Sequence, residues 1–485
     1  MSFHVICKQI LFLLLLFMFF GCSGGTLKKF NEAYYGGDAS GAYGIAKNRV
    51  EENIDSSQGE VKQDADNLLW QVQAGVSGFY LNEKDASRYL NLADSLMQEN
   101  IKSFIKNFFQ TTASILTSDS ILPYPIYLYE ASMVNYYLAL DAMGNGKQND
   151  ARIFFNQALE RQNDAKDYYA KELQEREEKL LDMQKISEET PKDEQYLAVG
   201  ISLAKSKDIN LSLVQENFIN PMIVYMKFLF EMIQGNFAGI HSLGNDFLAL
   251  IPKEDKNIFT ARKQGDTKRY TWMIIEDGRS AFKDSIAFSI PLPMDPTAFL
   301  NFGGMAAAIL AFQDKKSAET IGIAAAALSG GVLLNYAEPV LLDGVDFSQI
   351  YEVDSIRATK FFDMQALIET EFNKRMPGVR IRAIARSVPP AITSYLVEQG
   401  GKQAGYKGLG FLLSLLHRAV ISADTRMITA LPNAFYIMRF ENFDGEKELV
   451  IDGKNRIKFS LNNQEEDHII YVRNLGHEVF MRILN

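Results

Sequence analysis

The sequence is poor in the residues that ordinarily carry chemistry. Only two of its 485 residues are cysteine, Cys7 and Cys22, both at the extreme N-terminus, so the body of the chain can build neither a disulfide framework nor a thiolate metal cage. Histidine is almost as scarce. His4, His241, His417, His468 and His477 are scattered, and no two have the spacing that sets two imidazoles on one helical turn, so no metal site is expected. No glycine-rich loop ends in Lys-Ser or Lys-Thr, and Gly408-Leu409-Gly410 lacks the third glycine of a dinucleotide fingerprint, so no cofactor is expected either. Positive charge is in deficit, with 50 Lys and Arg against 60 Asp and Glu. A net charge of -10 argues against nucleic-acid partners, which need clustered cations to displace counterions.

Nucleophile signatures are equally thin. A serine followed by a lysine base occurs at Ser103 and Lys106, at Ser202 and Lys205, and at Ser280 and Lys283. None is accompanied by the Ser-Asp-Asn or Lys-Thr-Gly elements that complete such a site, and Ser242 lacks the glycine two positions before it that marks a nucleophile elbow. The expectation is therefore no catalytic residue, no enzyme activity and no small-molecule substrate, with a cell-wall hydrolase as the enzymatic alternative.

What the sequence does carry begins at its N-terminus. Met1 to Gln9 is short and polar with Lys8 as its cation, and Ile10 to Phe20 is an unbroken apolar run of secretory-signal length, too short to span a bilayer comfortably. It closes on Phe19-Phe20-Gly21-Cys22 and a Ser23-Gly24-Gly25 linker, which resembles a lipobox, with Phe19 where leucine is usual. The resemblance implies cleavage between Gly21 and Cys22 and lipidation of Cys22, which leaves no free thiol. Acyl chains contribute about 0.8 kcal/mol per buried CH2, and more than one chain anchors stably. Ser23 resembles the outer-membrane sorting choice of many lipoproteins, so a lipid-anchored chain facing the periplasm is expected.

From 22 to 265 apolar residues recur at three and four, predicting helices. Ala86, Leu90 and Ala93 share a small-large-small rhythm with Ala151, Phe155 and Ala158, similar to the second helix of a tetratricopeptide repeat, and Gly36-Gly37-Asp38 and Gly235-Asn236-Phe237 are related turns. A long helix is expected near 150–189. Residues 266–430 read as a mixed, mostly helical domain with a short β element over Thr271–Glu276 and Ile286–Ile290. Within it Thr320–Leu342 is expected to be a buried helix and loop, with a membrane span as the alternative. Lys374, Arg375, Arg380, Arg382 and Arg386 form a basic cluster with no acid among them. Residues 431–485 alternate as strands, with Asp452-Gly453 as a turn, predicting a small antiparallel sheet or sandwich, one-sided and packed on the preceding helices. The fold class is thus mainly α: a degenerate tetratricopeptide-like helical-hairpin array, a mixed region and a small C-terminal antiparallel β domain.

Several stretches together resemble an uncharacterised family of bacterial lipoproteins with tetratricopeptide-like helices. They are Asn220-Pro221 before Tyr225, the Gly235-Asn236-Phe237 turn, Glu276-Asp277-Gly278, Arg382 to Arg386, Ala423 to Arg426, Leu431-Pro432 and Arg439. Met427, where the family pattern has an aromatic, and the alanine-rich Ala324–Ala327 depart from it. The resemblance implies an adaptor of envelope assembly, similar in layout to small lipoproteins of the curli-secretion or cell-wall-synthase-activator type. It implies envelope proteins as partners of the repeats, and it offers no catalytic residues. A component of a secretion or channel complex, touching the membrane through 320–342, is the alternative.

Overall fold

Short polar turns between apolar helical stretches set the architecture of the N-terminal half. In the computed structural model, which describes residues 23–53, 66–97, 123–124, 126–164, 219–292 and 331–484, four helical hairpins appear. They pair α1 (Ser23–Tyr35) with α2 (Ala39–Glu52), α3 (Asn67–Tyr80) with α4 (86–97), α5 (Leu128–Gly144) with α6 (148–164), and α7 (Pro221–Ile233) with the short α8 (Phe237–His241). All four turns close the same way. The amides of Asp38, Glu83, Lys147 and Asn236 reach back to the carbonyls of Ala33, Gly78, Ala142 and Glu231 at 2.8–2.9 Å. Each follows a left-handed residue, Gly37, Asn82, Gly146 or Gly235, as a Schellman closure requires.

Neighbouring hairpins are joined by polar and aromatic contacts. Lys47 pairs with Asp85 at 3.0 Å, Arg161 with Asp94 at 2.6 Å, and Phe155 packs tilted on Phe230 with ring centroids 5.5 Å apart. The small-large-small residues Ala86, Leu90, Ala93, Ala151, Phe155 and Ala158 are all buried. Small helices α9 (Gly244–Ala249) and α10 (Lys253–Lys263) lead into the sheets. The expected long helix is described over 148–164, and the rest of 150–189 lies outside the described residues.

Strands β1 (Tyr270–Asp277), β6 (Thr359–Asp363), β7 (Ala434–Glu441), β10 (His468–Asn474) and β11 (Val479–Ile483) form one sheet in the order β11-β10-β1-β7-β6. This corrects the expected self-contained antiparallel sheet of 431–485. Its central strand comes from 270–277, and β1 runs parallel to β10. Nor is the sheet one-sided. One face meets the hairpins, as Phe79 on Tyr471 and Tyr136 on Phe435 show. The other buries Met273, Ile275, Met438 and Val472 against a second sheet of β4 (Tyr351–Val353), β5 (Ile356–Arg357), β8 (Glu446–Ile451) and β9 (Asn455–Ser460). Coverage of both faces explains the nearly continuous apolar run of β1.

β2 (Phe282–Leu292) pairs with β3 (Val332–Leu342) in a long antiparallel ribbon, so the expected helix over Thr320–Leu342 is a strand from Val332 onward, and the rest of that stretch lies outside the described residues. A fully buried strand and a buried helix have the same apolar density, and periodicity does not separate them. On the ribbon lie α11 (Met364–Gln403), 40 residues and about 60 Å long, and α12 (Leu409–Val420). Ile290, Val332, Leu334 and Tyr336 bury against Ile384, Val388, Ala391 and Tyr395 in a cluster separate from the main core. The chain is mainly α overall, yet among the described residues 266–430 holds six strands beside two helices.

Gly278 ends β1 with φ +77°, and a Cβ there would overlap the carbonyl oxygen of Val345. Gly278→Ala is therefore expected to lower unfolding stability by about 3 kcal/mol, combining backbone strain with the clash. Urea titration checks this: the midpoint drops with m unchanged.

Candidate functional site

A dense cluster of buried charge lies where the hairpins, the ribbon and α11 meet. Glu130 sits in the first turn of α5, three residues after its N-cap, where a carboxylate captures exposed amides. It is fully buried and accepts from the Tyr124 hydroxyl at 2.8 Å, the Tyr127 amide at 2.9 Å and the Ile428 amide at 3.1 Å. Burial pushes its carboxyl up to about 7, against the three hydrogen bonds that favour the anion.

Glu371 of α11 takes the next free amides of α5, Leu128 at 2.8 Å and Tyr129 at 3.2 Å, and pairs with Arg375 at 2.8 Å. The guanidinium of Arg375 lies 4.2 Å from the Tyr127 ring centroid, and Lys283 of β2 reaches the Tyr127 hydroxyl at 3.3 Å. Arg426 completes the cluster, bonding Asp66 at 2.7 Å and Asp424 through two nitrogens at 2.8 Å. Burial works to raise the Asp424 carboxyl, but the Arg426 hydrogen bonds and the nearby Lys283 outweigh it and hold it below the usual range.

The segment 426–431 is the most informative element of the site. It has no regular secondary structure, yet it crosses the inner face of three successive hairpins. Thr429 bonds Asn31 at 2.7 Å and the Ala430 carbonyl accepts from Tyr34 at 2.9 Å, both on α1. Gln73 of α3 takes the Ala430 amide at 3.1 Å and donates to Thr429 at 3.0 Å, and Glu130 of α5 takes the Ile428 amide. Met427, Ile428, Thr429, Ala430 and Leu431 are buried. The hairpins thus hold an extended peptide, and that peptide is the chain's own. Their remaining inner surface is covered by the five-stranded sheet.

As chemistry, the arrangement is closed. Each carboxylate is committed to backbone amides, tyrosines or arginines, and among the described residues no group of His, Cys, Asp and Glu could hold a metal ion. Ser280 is fully buried and its hydroxyl has no hydrogen-bond partner, so Lys283 is not within reach to serve it as a base. Ser103, Lys106, Ser202 and Lys205 lie outside the described residues, as do Gly21 and Cys22. Ser242 is exposed and donates to the Gly239 carbonyl. The histidines are dispersed: His241 lies near the Phe259 ring, His468 meets the Asn463 carbonyl, and burial lowers the His417 imidazole. The basic cluster of α11 does find acids, since Arg380 forks onto Glu338 of β3 at 2.6 and 2.7 Å and Arg375 meets Glu371.

The stretches singled out in the sequence fall on buried polar joints. Tyr225 and Trp272 donate to Asp255, which also meets Arg439 at 3.2 Å. Glu276 accepts from Tyr137 and Tyr471, and Asp277 from Tyr351 and Asn474. What the sequence analysis missed is Glu130 and Glu371. The signal for the first was present, an acid three residues into a helix and set among Tyr124, Tyr127 and Tyr129. No known protein family, curated protein or solved structure matches the chain, so the family resemblance rests on its local motifs alone.

Because the Glu130 carboxyl lies above its ordinary 4.5, the neutral form is the one folding favours. That contribution is intact below about 4.5 and is lost as pH rises through about 7. Glu130→Gln stays neutral, so the stability of the variant relative to wild type should rise by about 1–3 kcal/mol between pH 5 and pH 8. Urea midpoints at the two pH values measure it. A difference that stays constant would mean that Glu130 titrates like a surface carboxylate.

Proposed function

We propose that the chain is an envelope lipoprotein, cleaved between Gly21 and Cys22, held to the outer membrane by acyl chains on Cys22 and facing the periplasm, and that it acts as a scaffold or adaptor with no catalytic step of its own. The four hairpins are a degenerate tetratricopeptide-like array in this proposal. Support comes from their common left-handed turn, their unequal spacing along the chain and the buried small-large-small stripes.

One observation carries the proposal: the inner face of the hairpins is filled by residues 426–431 and the sheet, and the buried carboxylates beside it are spent on tying elements together. Such a molecule offers partners its outside. The expected docking of envelope proteins in a concave groove is therefore relocated to the outer helices, where Ile153 of α6 is 53% exposed. A membrane-spanning helix over Thr320–Leu342 is not part of the proposal, since Val332–Leu342 is a strand. Among the described residues no helix is long and apolar enough to cross a membrane.

Two measurements test this. Mass spectrometry of the N-terminal peptide from membranes should find Cys22 as the first residue, with a diacylglyceryl thioether. An unmodified sulfur would refute the anchor. A photo-crosslinking residue in place of Ile153, activated in living cells, should capture a discrete envelope protein, and an absence of adducts at this and other outer-helix positions would contradict the scaffold.

A further inference from the structure

α11 belongs to two cores. Its first turns give Met364, Leu367 and Ile368 to the main cluster, which the hairpins share, while Ile384, Val388, Ala391 and Tyr395 join the ribbon in the separate one. Ile384 lies about 24 Å of helix beyond Ile368. No described side chain between Ile368 and Ala383 joins either cluster.

Ion pairs hold that stretch, and they fix its two ends to different neighbours. Glu371 takes the Leu128 amide of α5 and pairs with Arg375 at 2.8 Å, and Arg375 also donates to the Ile126 carbonyl at 3.2 Å, so the helix as far as Arg375 is tied to the hairpins. Arg380 forks onto Glu338 of β3, so the helix from Arg380 onward is tied to the ribbon. Between the two clamps lies Met376-Pro377-Gly378-Val379. A proline has no amide hydrogen to give the carbonyl four residues back, here that of Asn373, and glycine is the least restrained residue of a helix. The rod is therefore weakest where it passes from one core to the other.

The ribbon changes partners at the same level. On the body side Lys283 reaches the Tyr127 hydroxyl, Phe282 packs on Tyr35 with ring centroids 5.0 Å apart, and Leu341 packs on the main cluster. On the far side Phe288, Ile290, Leu334 and Tyr336 belong to the separate cluster. Pro339, opposite Ser285, is the first residue on the body side of Glu338. The chain returning from α12 crosses here as well, where the Ala423 amide donates to the Ser285 hydroxyl at 2.8 Å. Beyond this level α12 is held to the ribbon alone among these strands, since Asn335 donates to the Ser414 carbonyl at 2.6 Å and Arg418 meets Ser289. Ribbon end, distal α11 and α12 thus form an arm, and both prolines lie on the body side of the Arg380–Glu338 fork.

Proline alone does not make the joint. Pro389-Pro390 interrupts α11 again, but Val388 and Ala391 on either side of it are buried in the same cluster, so one core holds both flanks. At Pro377 the flanks belong to different bodies.

We propose that the arm pivots on the body as one rigid piece, bending at Pro339 and at Pro377-Gly378, with the Arg380–Glu338 fork keeping distal helix and ribbon together. Two cores joined by a four-residue link and a two-stranded neck have the construction of a hinge. The pivot sets where the α11–α12 turn points relative to the hairpins, and it is independent of the anchored scaffold proposed above.

Spin-label distances in the full chain test it. Cys7→Ser and Cys22→Ser remove the two native thiols. Labels on cysteines placed at the exposed positions Lys84 and Lys407 read the arm against the body, those at Ile286 and Gln403 read within the arm, and those at Lys84 and Lys454 read within the body. The first distance distribution should be at least about twice as wide as the other two. Pro377→Ala with Gly378→Ala, which restores the helical amide, should narrow it to the width of the controls. An arm-to-body distribution as narrow as the controls overturns the hinge. A broad distribution within the arm overturns it too, because the arm would then be loosening and not pivoting, and so does a width that the paired substitution leaves unchanged. If that variant alters the thermal melt, the widths in the chain with native Pro377 and Gly378 decide by themselves.

Discussion

Glu276 and Asp277 are neighbours at the end of the central strand, and because side chains alternate along a strand they serve opposite faces of the sheet. Glu276 faces the hairpins, where Tyr137 of α5 donates at 2.7 Å and Tyr471 of β10 at 2.8 Å. Asp277 faces the other way and accepts from Tyr351 at 2.6 Å, Asn474 at 2.7 Å and the Phe347 amide at 2.9 Å. Burial raises both carboxyls, and the donors around each offset that cost. Hairpins, main sheet and second sheet are thereby joined through two adjacent residues. Arg473, fully buried beside them, extends the joint to Tyr34 of α1 and to the carbonyl of Glu276.

The filling of the hairpins follows from that joint. With β1 fixed, its partners β7 and β10 are fixed in register, and the chain entering β7 has to pass over α5, α3 and α1 to get there. Segment 426–431 does so as a bound peptide would, exchanging side-chain amides and hydroxyls with the helices. The surface of the hairpins that this segment crosses is consumed in folding.

The sequence was legible where a pattern had one structural meaning. The alternation at Tyr436, Met438 and Phe440 became β7, Asp452-Gly453 became a turn with positive φ at both residues, and the glycine turns became hairpin closures. It was not legible where two structures share one pattern. Val332–Leu342 is buried along most of its length against α11 and α12, and its apolar density does not tell strand from helix. The partnership of β1 with β10 joins residues nearly two hundred positions apart, and the short strands β4 to β6 carry too few residues for a period. Glu130 carried a legible signal in its place three residues into a helix among tyrosines, whereas Glu371 looked like any other acid in an acidic chain, and only the meeting of α11 with the first turn of α5 makes it distinct.

The hairpins hold residues 426–431 as an integral part of the core. Native-state hydrogen exchange tests it most directly. The amides of Ile428 and Ala430, bonded to Glu130 and Gln73, should exchange only through the same global opening that exposes the amides of β1. Exchange of these two at the rate of an exposed loop, while β1 stays protected, would mean that the segment lifts away and leaves the groove open to a partner.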